Sequence, residues 1–147
     1  ADRAVCVIRG NSPRFAEAVE MVLVDDDSGG QSTVPDRAHL AATFQALGVD
    51  APVVAEPTPR TRVPVLIAAF DDVVAWKGRT GFSDASRATI ERTLSIAKAQ
   101  RRDACVVLFA HPANAEEFPG AANVVCAWGG ERPMQEAAAR VLVRGGL

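Results

Sequence analysis

Pro64-Val65-Leu66-Ile67-Ala68-Ala69-Phe70 is the stretch on which the fold turns. Apolar residues follow one another without alternation, mixing β-branched, small and aromatic side chains. A strand with one wet face would alternate. A short continuous run is instead expected to be covered on both faces, as strands of parallel sheets are. The segment before it, Glu56-Pro57-Thr58-Pro59, cannot share the ladder, because each proline lacks a backbone donor. Val53 to Ala55 is a short strand candidate just upstream.

Working outward, four more runs have strand character: Ala4 to Ile8, Glu17 to Val24, Ala104 to Ala110 and Asn123 to Trp128. Helical spacing fills the intervals. Asp36 opens a helix carrying Leu40, Phe44 and Leu47, and Gly48 stops it. Ser83 is a good N-cap for a second helix, with Asp84 in its first turn and Ile90, Leu94 and Ala97 as its stripe. Lys98, Arg101 and Arg102 fall where the helix dipole favours cations. A helical turn covers Ala115 to Phe118. The last helix follows Gly129-Gly130, with Pro133 near its first position and Met134, Ala137, Ala138, Val141 and Leu142 facing inward. Residues Ser28 to Thr33 read as a loop. Strand–helix units in succession predict a three-layer α/β sandwich, a mainly parallel sheet flanked by helices in the flavodoxin-like manner, occupying 1–147 as a single domain.

Composition narrows the function classes. The 147 residues are 48% apolar and 23% charged, with a formal net charge of −2, which suits one globular domain with a mildly acidic surface. Lys and Arg are scattered, so no nucleic-acid footprint is expected. No apolar stretch approaches the roughly 20 residues of a membrane span, and no membrane partner is expected. Cys6, Cys105 and Cys126 each sit inside an apolar run and read as small buried hydrophobes, since their spacing fits neither a zinc site nor a redox pair. Ala1 stands where an initiator Met would, which leaves a processed terminus or a piece of a longer chain. The Ala- and Arg-rich composition suggests a bacterial source; cytoplasm and periplasm both stay open.

Ligands of open α/β sheets bind where strand C-terminal ends meet helix N-termini. Four stretches fall there: Asp25-Asp26-Asp27, Asp71 through Arg79, His111 through Asn114, and Trp128 through Arg132. The acidic triplet invites comparison with a response-regulator receiver, but it follows the second run and lacks that fold's threonine and lysine strands. A solvated exit from the strand is the expectation. Gly129-Gly130 matches neither the dinucleotide fingerprint nor the phosphate loop, and reads as a tight turn. His111 has no nucleophile elbow to serve, and the two histidines have no metal-ligand spacing. Trp76-Lys77-Gly78-Arg79 joins an aromatic to two cations, the composition of an interface anchor or of a sugar-stacking loop. Trp76, Lys77, Arg79 and His111 are therefore the candidates for substrate or interface contact. No catalytic residue, metal ligand or cofactor is nominated.

From Val73 to Gly145 the order of features resembles the C-terminal domain of family 3 glycoside hydrolases, above all the β-N-acetylhexosaminidase-like branch. The carriers are Trp76-Lys77-Gly78 before Gly81-Phe82-Ser83, the strand leading to His111-Pro112, then Phe118-Pro119. A strand ending in an aromatic and glycine and the closing helix Gln135 to Leu142 complete the set. Ala4 to Arg9 resembles that domain's first strand. Ala113 departs from the tyrosine common in the family's turn. The family's barrel, with its K-H-F-P-G-H-G-like segment and nucleophilic aspartate, has no counterpart, and a barrel of that kind needs about 250 residues. The resemblance thus implies a non-catalytic accessory domain excised from a longer glycosidase of β-N-acetylhexosaminidase or β-glucosidase type. Its partner would be the parent's catalytic barrel, with carbohydrate a further candidate. A free-standing flavodoxin-like small-molecule binding domain is the alternative.

Overall fold

A computed structural model of the chain describes residues 2–27, 36–72 and 78–145. Its strands are β1 (Cys6–Arg9), β2 (Glu20–Asp25), β3 (Val65–Asp71), β4 (Ala104–Ala110) and β5 (Val124–Cys126). Its helices are α1 (Ala38–Ala46), α2 (Asp84–Ala99) and α3 (Arg132–Arg144), and a 3-10 helix spans Pro112–Glu117. The strands form one sheet in the order β1-β5-β4-β3-β2. β2 through β5 run parallel, and β1 closes one edge antiparallel to β5.

The continuous apolar runs have the reason expected of them. All seven residues of β3 are buried. Leu66, Ala68 and Phe70 face one core with α1 and α3. Val65, Ile67 and Ala69 face a second core with α2 and the 3-10 helix. With both faces covered, neither set of alternate positions can be polar. The two cores share the sheet as their common layer, and each fully buried Leu, Ile or Phe contributes roughly 1.5–3 kcal/mol. The three-layer α/β fold is as the sequence implied.

The segment between α1 and β3 sets the topology. Val19 N–H donates to Asp50 O at 2.8 Å, Met21 N–H to Pro52 O at 2.9 Å, and Val54 N–H to Met21 O at 2.9 Å. Residues 50–54 thereby lie parallel along the outer edge of β2, where the sequence suggested a short strand. Counting this segment, the chain leaves β2 outward, then crosses back over it to β3, which is the 2-1-3-4-5 order of flavodoxin-like folds. The reversal of direction explains why α1 and α2 cover opposite faces: crossovers of one hand, travelling opposite ways, place their helices on opposite sides. It also puts the topological switch point between the C-terminal ends of β2 and β3.

Local chemistry explains the element ends. Ser83 caps α2 by accepting the Ser86 amide at 3.2 Å. Asp36 accepts the Ala38 amide at 2.9 Å, so the helix that it was expected to open starts two residues later. Gly145, at φ +69°, closes α3 in the left-handed conformation that glycine tolerates. The run from Asn123 to Trp128 gives a shorter strand than its sequence suggests, because Trp128 stands at φ +64° and cannot extend β5. The helical turn near Ala115 begins earlier than expected, at Pro112, where the His111 side chain accepts the Ala113 amide.

Candidate functional site

The switch point is filled by charge. Arg37, just before α1, lies beneath the ends of β2 and β3 with 8% of its side chain exposed. Its Nη2 is 2.7 Å from Asp27 Oδ2, and its Nε is 3.3 Å from Asp25 Oδ2. The guanidinium rests 4.3 Å over the Phe70 ring, which itself stacks on Phe109 at 4.4 Å between centroids. Nη1 donates to Gly130 O at 3.3 Å, reaching from the β2 end to the loop before α3. Asp27 also accepts the Asp72 amide at 2.9 Å.

This geometry corrects the expectation for Asp25-Asp26-Asp27. Asp26 and Asp27 are 9% and 4% exposed, so they are an internal anchor and not a solvated exit. The reason is that Arg37 and the N-terminus of α2 stand at the end of β2, so the carboxylates meet a cation and helix N-terminal hydroxyls before they meet water. Asp26 accepts from Ser83 Oγ at 2.5 Å and Ser86 Oγ at 2.6 Å, and it pairs with Arg79. Burial alone would raise its pKa, but the two hydroxyls and the Arg79 guanidinium together hold it below the ordinary carboxylate value.

A second polar line runs from β3 to the 3-10 helix. Asn114 Nδ2 donates to Asp71 Oδ2 at 3.1 Å and to Glu117 Oε1 at 3.0 Å. Glu117 in turn accepts the Phe82 amide at 3.2 Å and meets Arg87 at 3.4 Å. On the other face, the fully buried Gln135 accepts the Leu40 amide at 3.0 Å and donates to Gly130 O at 2.6 Å. Gly130 is glycine for clearance: a Cβ there would lie 2.0 Å from Arg37 Nη1 and 3.0 Å from Phe70 Cδ1. Gly130 thus makes room for the arginine, a more specific role than a tight turn, while a Cβ on Gly129 would meet only the Glu131 carboxylate.

Of the four contact candidates, Trp76 and Lys77 lie outside the described residues. Arg79 bends inward to Asp26 and to the Gly81 carbonyl while keeping 36% of its side chain exposed. His111 is exposed at the end of β4. Its ring meets Trp128 edge-on, with centroids 6.0 Å apart. Trp128 is 51% exposed and holds a left-handed backbone, which costs a bulky residue energy and is uncommon outside functional or tightly constrained positions.

Sequence reasoning did not nominate Arg37, Asn114, Glu117 or Gln135. Only Gln135 left a signal, since it stands one helical repeat before the buried Ala138 and Ala139. At the opposite end of the sheet, an open depression of about 600 Å³ is lined by Glu91, Leu94, Lys98, Asp103 and Asn123, among others. Its charges are mixed and do not converge. Among the described residues no group of three His, Cys, Asp or Glu is placed to hold a metal ion.

No protein-family model matches the chain, and no curated protein matches it. Solved structures do. A glycoside hydrolase family 3 β-N-acetylglucosaminidase from Paenibacillus sp. str. FPU-7 superposes with a TM-score of 0.72 at 17% identity, covering 97% of this chain and 28% of that one. The β-glucoside phosphorylase BglX gives 0.62 at 12% identity, covering 97% and 27%. A GH3 exo-β-xylosidase, XlnD, gives 0.58 at 7% identity, covering 96% and 22%. The chain therefore spans less than a third of the proteins it superposes on. What it has in common with them is a fold, that of one segment of family 3 glycosidases.

Proposed function

We propose that the chain is a non-catalytic accessory domain, the C-terminal part of a family 3 glycoside hydrolase, and that it packs against the catalytic barrel of its parent. The observation that carries this reading is the superposition of 97% of the chain on 28% of a family 3 β-N-acetylglucosaminidase. The ordered sequence resemblance points the same way. The switch point supports it too. Ligands of such folds enter the crevice at this point, whereas here Arg37 and Asp27 hold each other, Ser83, Ser86 and Arg79 hold Asp26, and Asn114 holds Asp71.

Contact with the parent falls to the rim above the switch point. Trp128, His111 and Arg79 present an aromatic pair and a partly exposed guanidinium there, and Trp76 and Lys77 belong to the same connection as Arg79. Trp and Arg are the residues that most often anchor interfaces.

The test is an assay of the chain alone on chromogenic β-N-acetylglucosaminides and β-glucosides. The expected result is no turnover above buffer. Robust hydrolysis by the chain alone would overturn the proposal.

A further inference from the structure

Cys6 on β1 and Cys126 on β5 are direct partners in the antiparallel ladder. Opposed residues of such a pair point to the same face with Cα atoms about 4.5–5.5 Å apart. That separation lies inside the roughly 4.4–6.8 Å a disulfide spans. Both side chains belong to the core on the α2 side, Cys126 within it and Cys6 packed at its margin. Both are free thiols. Cys105 lines the opposite core and is fully covered, so it competes for neither.

We infer that Cys6 and Cys126 are a disulfide-forming pair, closed by a small-molecule disulfide such as glutathione disulfide, which ties the edge strand β1 covalently to β5.

The half-buried Cys6 is the sulfur that solvent reaches first. Its thiolate attacks one sulfur of glutathione disulfide, forming a mixed disulfide and releasing one glutathione thiolate. Cys126, deprotonated in turn, attacks the Cys6 sulfur and releases the second glutathione. The protein loses two protons and two electrons, and one glutathione disulfide takes them up to become two thiols. Burial raises the Cys126 thiol's pKa, which makes the second exchange the slow one.

The position gives the bond consequence. β1 has four residues and pairs on one side only, and Val7 and Ile8 on it are 36% and 39% exposed. Little apolar burial holds this strand, so it is expected to detach before the central ladder does. A link from residue 6 to residue 126 closes a loop of nearly the whole chain, the case in which a crosslink restricts the unfolded ensemble most.

The experiment incubates the native 147-residue chain with glutathione disulfide, alkylates it in denaturant without reductant, and digests with trypsin and glutamyl endopeptidase together. Cleavage at Arg3, Arg9, Arg102, Glu116 or Glu117, and Glu131 separates Cys6 (4–9), Cys105 (103–116 or 103–117) and Cys126 (from 118 or 117 to 131). The expected product is peptide 4–9 joined to the Cys126 peptide, lighter than the two free peptides by two hydrogens and split by reductant, with Cys105 alkylated. Oxidised chain should unfold at higher urea than reduced chain, a difference that Cys6→Ser removes while keeping the reduced chain's stability. Three outcomes would overturn the inference: Cys6 and Cys126 both alkylated, a glutathione adduct that persists on Cys6, or Cys105 in the crosslink.

Discussion

Replacing Arg37 with Met keeps an unbranched stem against Phe70 and removes the guanidinium. The side chains of Arg37 and Asp27 are 8% and 5% exposed and meet at 2.7 Å, so the pair is desolvated. Removing one partner of a buried pair leaves the other charge uncompensated, at a cost of about 3–5 kcal/mol. Asp25 adds little, because its side chain is 25% exposed and water screens it. Asp27 also keeps the Asp72 amide at 2.9 Å, which places the expectation at the low end, about 3 kcal/mol. For a chain of this size that corresponds to a fall in Tm of roughly 6–12 °C. Urea unfolding followed by circular dichroism should show a lower midpoint at unchanged slope. Adding Asp27→Asn to Arg37→Met should cost less than the sum of the single changes, since one buried charge is removed with its partner. A loss below about 1 kcal/mol for Arg37→Met, or strict additivity in the double variant, would refute the view of this arginine as the lock of the switch point.

Three further predictions follow from the same geometry. Gly130→Ala should destabilise by about 1–3 kcal/mol, because its Cβ must displace Arg37 or Phe70; thermal melts check this, and an unchanged Tm would show that Arg37 moves freely. Stability should fall below about pH 4. Asp26 and Glu20 both have folded-state pKa values below the ordinary ones, so their contribution is present above the unfolded values and disappears as pH drops through the folded ones. Asp26→Asn should flatten that part of the urea-midpoint profile, and an identical profile would count against the Asp26 network. Trp128→Gly should stabilise the isolated chain by about 1 kcal/mol, since glycine adopts φ +64° without the strain a side chain brings and the ring is half exposed. If instead it destabilises the chain, Trp128 is held by packing and not kept for contact.

The sheet was legible because its strands are covered on both faces. Val65 to Phe70 and Ala104 to Ala110 carry no polar residue at either alternate set, and only a buried parallel strand explains that. Ser83 and Pro133 likewise mark helix starts through chemistry confined to a few neighbouring residues. The switch point was not legible. Asp25-Asp26-Asp27 looks the same in sequence whether it meets water or Arg37, and Arg37 is ten residues further on in a different element. Gly130 reads as a turn residue until Arg37 is seen 93 residues away in sequence, against its carbonyl. Asn114 and Glu117 depend on the 3-10 helix bringing them to Asp71 and Phe82. Contacts of long sequence separation leave no periodicity, so polar anchors between elements stay hidden where apolar faces show.

The direct test of the central proposal is association of this 147-residue chain with the catalytic barrel encoded in the same reading frame, measured by titration calorimetry with the two parts expressed separately. An interface of the kind that joins domains within a chain, about 600–1,500 Å², should give saturable one-to-one binding. Trp128→Ala should weaken that binding by roughly tenfold, a loss of about 1.4 kcal/mol. A reading frame without a barrel, or a barrel that binds neither the chain nor its Trp128 variant, would contradict the account.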